Sequence, residues 1–341
     1  MNLKERVIAQ IEHQETDWTP YTLDFEGNLA EELDIYYGSN HWRSYLQSSI
    51  LRLPLPGEGL MAEGVTEKFY TDIYGTVWRM DVRPFHHEVP ALRVPSLEAY
   101  QWPEMDDVFD PDWEVRAGRF IDQNRDRFIV GILGYGLFER TWTLRGFENM
   151  LSDCILEEDF YDELVERLAE HQLAMMERIL ELPVDGIMFS DDWGYQKGVL
   201  IGAARWRKFL KPRLVRMYQR VHQAAKFTLS HCCGSIAEIM PDLIEIGLDV
   251  IESVQPEAVD MNPYDLKRRF GTEITFWGGL GSQSTIQYGT RDEIKAEVNK
   301  LCGEMGVGGG YILAPAKALQ PGTPLENAAA VADGFLEQAG G

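Results

Sequence analysis

From residue 127 onward, short apolar segments alternate with amphipathic segments, and this alternation constrains the fold more than any other feature of the sequence. The apolar segments lack the strict polar alternation of a half-exposed strand, which indicates a sheet that is covered on its outer face. They are FIVGIL (128–133), GIMF (186–189), KFTLS (226–230), DVIES (249–253), EITFWGG (273–279) and GYILA (310–314). Strands that alternate with helices form βαβ units and build a parallel sheet.

Two further segments bring the predicted number of strands to eight. WTPYTLDF (18–25) suits a first strand ending at Asp24, and another strand is expected near Trp78. Eight strands fit a closed (β/α)₈ barrel, the TIM-barrel architecture, which needs about 250 residues. No GxGxxG motif follows the first strand, which disfavours a dinucleotide-binding sheet. The 341 residues are therefore predicted to form one α/β domain, residues 1–341, built as a TIM barrel.

Capping patterns predict where two helices begin, and one long segment lacks such regularity. Thr290 with Glu293 predicts a capping box, and a second is expected from Thr323 to Glu326, with proline at the first helical position. Residues 50–110 are rich in Pro, Gly and aromatic residues, and a hairpin is expected around Gly75. We interpret this segment as an irregular N-terminal insertion lying over the barrel mouth.

The charge balance bounds the kinds of partner. The chain has 55 acidic and 32 basic residues, a formal net charge of −23, which repels nucleic acid and anionic lipid, so neither is expected as a partner. The four cysteines have no regular spacing, which indicates a reducing compartment. The sequence MNLKERVIAQIEHQ lacks the apolar core of a secretion signal, and no run of about 18 apolar residues occurs. We expect a cytoplasmic protein.

In a barrel of this type, the residues that follow each strand face the active site. We take four of them as candidate catalytic residues, namely Asp191, Asp192, His231 and Lys317. Glu139 also follows a strand. The candidate substrate-binding residues are Asp24, Tyr135, Arg140, Trp193, Gly278 and Gln283.

Asp191 and Asp192 directly follow an apolar strand. Because strand side chains alternate, one carboxylate should point toward the barrel axis and the other away from it. Carboxylates that enter a cleft can bind a metal or a cationic substrate, or transfer protons. Alternatively, one of them caps the following loop.

His231-Cys232-Cys233-Gly234 is the most informative tetrapeptide. A histidine nitrogen and a thiolate two residues apart can reach one point, and both suit Zn²⁺. Zinc bound in this way keeps a substrate thiol in its nucleophilic thiolate form. Glu252 or Asp191 could supply a third ligand, whereas a protonated Lys317 could not. The alternative is a buried small cysteine beside a hydrogen-bonded histidine.

Several longer segments resemble the uroporphyrinogen decarboxylase-like superfamily. They are GLFERTWTLRGFENML (136–151), DGIMFSDDWGYQKG (185–198), LSHCCGSI (229–236), PDLIEIGLDVIESVQPEAVDMNP (241–263), ITFWGGLGSQ (274–283) and GGYILAPAKALQPGTPLEN (309–327). The resemblance covers roughly residues 125–335 and implies a (β/α)₈ barrel.

The resemblance implies one of two activities. One is cofactor-free decarboxylation of uroporphyrinogen, whose enzymes share an N-terminal arginine-rich stretch, but this chain reads TPYTLDFEGNLAEEL there. The other is methyl transfer between a corrinoid protein and a thiol or similar acceptor, with zinc held by an H-x-C pair and a later cysteine. His231 and Cys233 match that pair, and Lys317 stands where the later cysteine is expected.

The leading hypothesis is therefore a methyltransferase that acts on a small molecule with a corrinoid partner protein. His231 and Cys233 would bind zinc, completed by Glu252 or Asp191. Two alternatives are a metal-free decarboxylase of a carboxylic acid, using Asp24, Arg140 or Lys317, and a non-catalytic ligand-binding barrel. A homodimer is compatible with each of the three.

Overall fold

The computed structural model describes residues 1–54, 56, 68–82 and 85–340. The strands within these residues are β1 (Ile50–Arg52), β2 (Phe69–Thr71), β3 (Val77–Arg79), β4 (His86–Val89), β5 (Phe128–Tyr135), β6 (Gly186–Ser190), β7 (Gly194–Tyr195), β8 (Gly198–Val199), β9 (Phe227–His231), β10 (Val250–Val254), β11 (Thr275–Leu280) and β12 (Tyr311–Pro315).

Helices surround the strands. They are α1 (Leu3–Ile11), α2 (Leu29–Tyr37), α3 (Trp42–Tyr45), α4 (Met105–Val108), α5 (Trp113–Gln123), α6 (Leu137–Arg145), α7 (Phe147–Leu156), α8 (Glu158–Leu180), α9 (Ala203–Arg205), α10 (Lys211–Gln223), α11 (Met240–Glu245), α12 (Pro263–Phe270), α13 (Thr285–Tyr288), α14 (Arg291–Met305) and α15 (Leu325–Gln338). Within the described ranges, no helix is both long enough and apolar enough to span a membrane.

A seven-stranded parallel sheet forms the centre of the molecule, in the order β1-β5-β6-β9-β10-β11-β12. The order follows the chain, so consecutive strands are neighbours joined by helical connections. All six apolar segments of the C-terminal part form strands of this sheet, which confirms the predicted α/β class.

Residues 20–22 connect the two edges of the sheet. The Thr22 amide donates to the Leu313 carbonyl over 3.0 Å, and the Ser49 amide, just before β1, donates to the Tyr21 carbonyl over 2.7 Å. The predicted first strand, 18–25, therefore contributes isolated bridges at Tyr21 and Phe25 rather than a continuous ladder. Pro20 has no N–H to donate, which limits the pairing.

The sheet is curled enough that side chains from all seven strands meet on one side. One small buried cluster contains Ile50, Phe128, Met188, Leu229, Val250, Trp277 and Ile312, one from each strand. Alternating residues such as Ile129 and Ile187 belong instead to the large cluster under the helices. The sheet is buried on both faces, as its unbroken apolar segments predict.

The strand expected near Trp78 was wrongly counted as part of the barrel. β3 pairs antiparallel with β2 and β4 in a separate three-stranded sheet, so the expected hairpin at Gly75 is confirmed. The Trp78 indole donates to Asp72 over 2.8 Å, which fixes it within the hairpin. β1, only three residues long, was missed. Residues 55, 57–67, 83 and 84 of the predicted insertion lie outside the described part of the chain.

The helix starts give mixed outcomes. The Thr290–Glu293 capping box is confirmed, whereas the one predicted at Thr323 is wrong, since Pro324 is the N-cap of α15 and no side chain caps the helix. The helix expected over 204–223 is interrupted by a π-helical turn, Trp206–Leu210. Pro212 explains this turn, because it cannot donate the i→i−4 bond that an α-helix requires there.

Candidate active site

The register of β6, β9 and β10 places three polar side chains side by side. Ser190 is opposite His231, and His231 is opposite Glu252. The Glu252 carboxylate contacts Nδ1 of His231. This contact fixes the imidazole, and its second nitrogen, Nε2, faces the residues that follow β6 and β9.

Nε2 of His231 lies 3.4 Å from Cys233 Sγ and 3.5 Å from Asp192 Oδ1. The Cys233 amide donates to the same Asp192 oxygen over 2.8 Å, which fixes the carboxylate beside the thiol. One donor atom from each of the three residues lies within 4.8 Å of the others. Bond lengths of roughly 2.0–2.3 Å in a tetrahedral site require donors about 3.3–3.8 Å apart. Both distances from His231 Nε2 fall in this range, so the nitrogen, sulfur and oxygen donors suit a zinc ion.

Charges around His231 oppose the effect of its burial. Burial lowers the pKa of His231, but Glu252 and Cys233 outweigh it and bring the pKa well above its usual value. Burial likewise raises the pKa of Glu252, whereas His231 and Arg52 hold it below its usual range. Glu252 is bound to the nitrogen opposite the donor set, the position of a carboxylate that orients a metal-binding histidine.

Asp191 and Asp192 occupy different environments, as the alternation of strand side chains predicts. Asp191 is 1% exposed and accepts from the amides of Phe138 and Glu139 over 2.9 and 2.7 Å and from the Trp193 indole over 2.7 Å. It thereby caps the N-terminus of α6. Burial raises the pKa of Asp191 to about 7, although these donors favour the charged form.

Glu139 is a buried acid next to this pair. Burial, followed by the charges of Asp191 and Asp192, raises the pKa of Glu139 to about 9. It is therefore a neutral carboxylic acid at pH 7. Its place after β5 was visible in the sequence, but nothing there indicated that α6 would be buried with the acid inside.

Asp192 and Cys233 line a pocket of about 360 Å³, a size typical of small-molecule sites. Lys317 and Gln283 line the same pocket and also line an adjoining pocket of about 240 Å³. The Lys317 amide donates to Ser282 Oγ over 3.0 Å, which fixes its backbone. Across the described ranges, no ion pair involves the Lys317 ammonium, and it is the only cation lining either pocket.

Five predicted substrate-binding residues lie outside this pocket lining, namely Asp24, Tyr135, Arg140, Trp193 and Gly278. The Tyr135 ring stacks on Trp78 with centroids 6.0 Å apart, and the buried Arg140 guanidinium lies 4.0 Å from the Tyr74 ring centroid. Trp193 is buried with its indole on Asp191. A Cβ at Gly278 would lie 2.8 Å from the Val254 nitrogen, so this glycine permits strand pairing.

Asp24 lies near the carboxyl end of β1 and pairs with Arg52, a residue that the sequence interpretation missed. Arg52 Nη1 is 3.1 Å from Asp24 Oδ2, and Nη2 is 3.5 Å from Glu252 Oε1. The available signal was a charged residue ending the short apolar run before Leu53-Pro54. It was overlooked because β1 was not recognised as a strand.

Comparison with known proteins gives a family match over more than half of the chain. The model of the family described as "Uroporphyrinogen decarboxylase (URO-D)" matches residues 141–335. This range includes Asp192, His231, Cys233, Glu252 and Lys317.

Two similar curated proteins are both described as methylcobamide:CoM methyltransferase MtaA. The chain is 28% identical to the one from Methanosarcina barkeri over 169 residues, which are 50% of this chain and 46% of the relative. It is 27% identical to the one from the Fusaro strain of that species over 173 residues, 51% of this chain and 48% of the relative. The match thus spans about half the length of these relatives.

A solved structure, a methyltransferase from Methanosarcina mazei, superposes with a TM-score of 0.74. The superposition covers 99% of both chains at 22% sequence identity. At that identity the likeness concerns the fold alone, and it extends through residues 1–140, which the family model leaves unmatched.

Proposed function

This chain belongs to the uroporphyrinogen decarboxylase family, and on that premise we propose that it is a methyltransferase moving a methyl group between a corrinoid protein and a small acceptor. The observation that carries the proposal is the convergence of donor atoms from Asp192, His231 and Cys233, of which Asp192 and Cys233 line one pocket. The likeness to methylcobamide:CoM methyltransferases supports it. We further propose that residues 20–22 serve as the eighth strand of a barrel, with the β2–β3 hairpin at its mouth.

Zinc bound at this site would hold a thiol acceptor in its thiolate form at neutral pH. His231 Nε2, Cys233 Sγ and Asp192 would hold the ion, and Glu252 would orient His231 rather than act as a ligand. In the transfer, the acceptor would release its thiol proton to solvent, its sulfur would form the S–CH₃ bond with the thiolate electron pair, and the methyl–cobalt bond of the donor substrate would break with its pair left on cobalt.

Asp192 and Lys317 have different proposed roles at the pocket. The Asp192 carboxylate accepts a hydrogen bond from the Cys233 amide and so keeps the Cys233 backbone in place. Among the described residues that line either pocket, Lys317 carries the only positive charge. We assign Lys317 to binding an anionic group of the acceptor, with Gln283 and Ser282 beside it as neutral hydrogen-bonding partners.

The test measures zinc content and methyl transfer from methylcobalamin to thiols, in the wild type and in Cys233→Ala. We expect near-stoichiometric zinc in the wild type and loss of both zinc and transfer in the variant. Cys232→Ala is the matched control, because its buried thiol lies outside the donor group. Metal-free wild-type protein that releases carbon dioxide from a carboxylic acid would replace this proposal with decarboxylation.

Lys317→Met should raise KM for 2-mercaptoethanesulfonate by about 10-fold or more, since a hydrogen bond to a charged group contributes roughly 1.5–3 kcal/mol. The KM for uncharged 2-mercaptoethanol should change little. Lys197→Met is the control, because it removes the same charge from an exposed residue outside the pocket lining. Equal effects on both thiols would contradict an anion-binding role.

A further inference from the structure

Arg52 joins side chains from opposite parts of the barrel mouth. It ends β1, at one edge of the sheet, and its two terminal nitrogens contact different carboxylates. Nη1 lies 3.1 Å from Asp24 and Nη2 lies 3.5 Å from Glu252, a residue of β10. The guanidinium carbon also lies 5.3 Å from the Trp277 ring centroid of β11.

These contacts fix the guanidinium on three sides. Trp277 is buried and its indole donates to Thr22 over 2.8 Å, so the surface beneath Arg52 is itself held in place. A planar guanidinium can contact two carboxylates at once and lie on an aromatic ring, which a lysine ammonium cannot reproduce. The arrangement therefore requires arginine specifically.

The orientation of His231 depends on the same contacts. One Glu252 oxygen meets His231 Nδ1, and the other faces Arg52. Because each Glu252 oxygen has a partner, the carboxylate cannot rotate away from the imidazole without also breaking its contact with Arg52. His231 Nε2 is consequently kept toward Cys233 and Asp192.

We infer that Arg52 is a positioning residue for the donor set, which it orders through Glu252 and His231 from the far side of the mouth. Arg52 touches none of the three donors in the described contacts and lies outside the segment that the family model matches. This inference rests on the proposed function, because the group it orders is the proposed zinc site.

The experiment measures zinc affinity by competition with a chelator in the wild type, Arg52→Met, Glu252→Gln and the double variant. Residues that orient metal ligands typically change metal affinity by about 10–100-fold when they are replaced. We expect Arg52→Met to lower zinc affinity within that range and Arg52→Lys to lower it less. Arg43→Met, which removes an arginine paired with Asp34 on another helix, should leave zinc affinity unchanged.

The double variant separates an effect through Glu252 from a general charge effect. If Arg52 acts through Glu252, Arg52→Met should add almost nothing in the Glu252→Gln background, because coupled residues are not additive. Multiplied effects, or an unchanged affinity in Arg52→Met, would overturn the inference while the proposed function stood. A wild type that binds no zinc would overturn both.

Discussion

Two polar clusters, one near the carboxyl end of β9 and one near that of β5, each contain a histidine. The two histidines lie in different electrostatic environments, and we call the clusters open and closed. In the open cluster, His231 contacts Glu252 and faces Asp192 and Cys233. In the closed cluster, His171 is 8% exposed and lies among Tyr74, Trp102 and Arg140. Nε2 of His171 is 3.2 Å from the Tyr74 hydroxyl, and the ring centroid is 5.7 Å from that of Trp102.

The pKa values of these two histidines are shifted in opposite directions from the usual value for histidine. Burial and the charge of Arg140 lower the pKa of His171 to about 4, whereas carboxylates and a thiol bring that of His231 well above its usual value. Burial disfavours the charged form in both, so the neighbouring charges decide the outcome. A histidine beside a cation and aromatic rings stays neutral and structural. One surrounded by acids is suited to binding a cation.

Asp191 and Asp192 offer the strongest test of the same contrast between buried and metal-facing polar groups, because Asp191 caps α6 in the interior and Asp192 faces His231 and Cys233. Asp191→Ala should lower the free energy of unfolding by about 3 kcal/mol or more, since it leaves buried donors at the start of α6 and the Trp193 indole unpaired. The folded protein should still bind zinc. Urea unfolding and zinc analysis measure the two effects.

Asp192→Ala is the matched control with the opposite pattern. Its side chain is only partly buried, so the stability should fall by about 1 kcal/mol, the value of one lost hydrogen bond. Zinc affinity should fall strongly, since a donor is removed. If both variants lost stability and zinc equally, the distinction between a structural Asp191 and a metal-binding Asp192 would be wrong.

The sequence was sufficient to predict the parts that follow from pattern. Six apolar segments became parallel strands, and because the residues after such strands converge, Asp192, His231 and Cys233 were expected near one another. Position alone could not distinguish a donor from a cap. Asp191 is fully engaged by α6, which depends on how that helix packs, and Glu252 lies on the opposite nitrogen of His231, which depends on the rotation of the ring.

The N-terminal third was less predictable for a physical reason. β1 has only three residues and no flanking periodicity, so it gave no strand signal, and Arg52 was lost with it. Trp78 lies in a strand that looks like any other, but β3 pairs with β2 and β4 in a separate antiparallel sheet rather than in the parallel sheet. Short strands take their place from tertiary contacts rather than from their own sequence.

The closed cluster makes a smaller, pH-dependent prediction. Below pH 6.5 the unfolded chain protonates His171, whereas the folded protein does so only near pH 4. Because the unfolded state then binds more protons, His171 should make stability fall as the pH drops from 6.5 to 4, by up to about 1.4 kcal/mol per pH unit. His171→Gln should remove this contribution, measured by urea unfolding at several pH values.

Tyr74→Phe separates the cause of that slope from the hydrogen bond itself. It removes the hydroxyl that contacts His171. The His171 ring stays buried beside Arg140, and this burial and charge are what lower the pKa of His171. We expect a loss of about 1 kcal/mol at every pH, with the slope between pH 6.5 and 4 retained. A slope abolished by Tyr74→Phe would mean that the Tyr74 hydroxyl, rather than burial and the charge of Arg140, keeps His171 neutral, and the contrast with His231 would then rest on a single hydrogen bond.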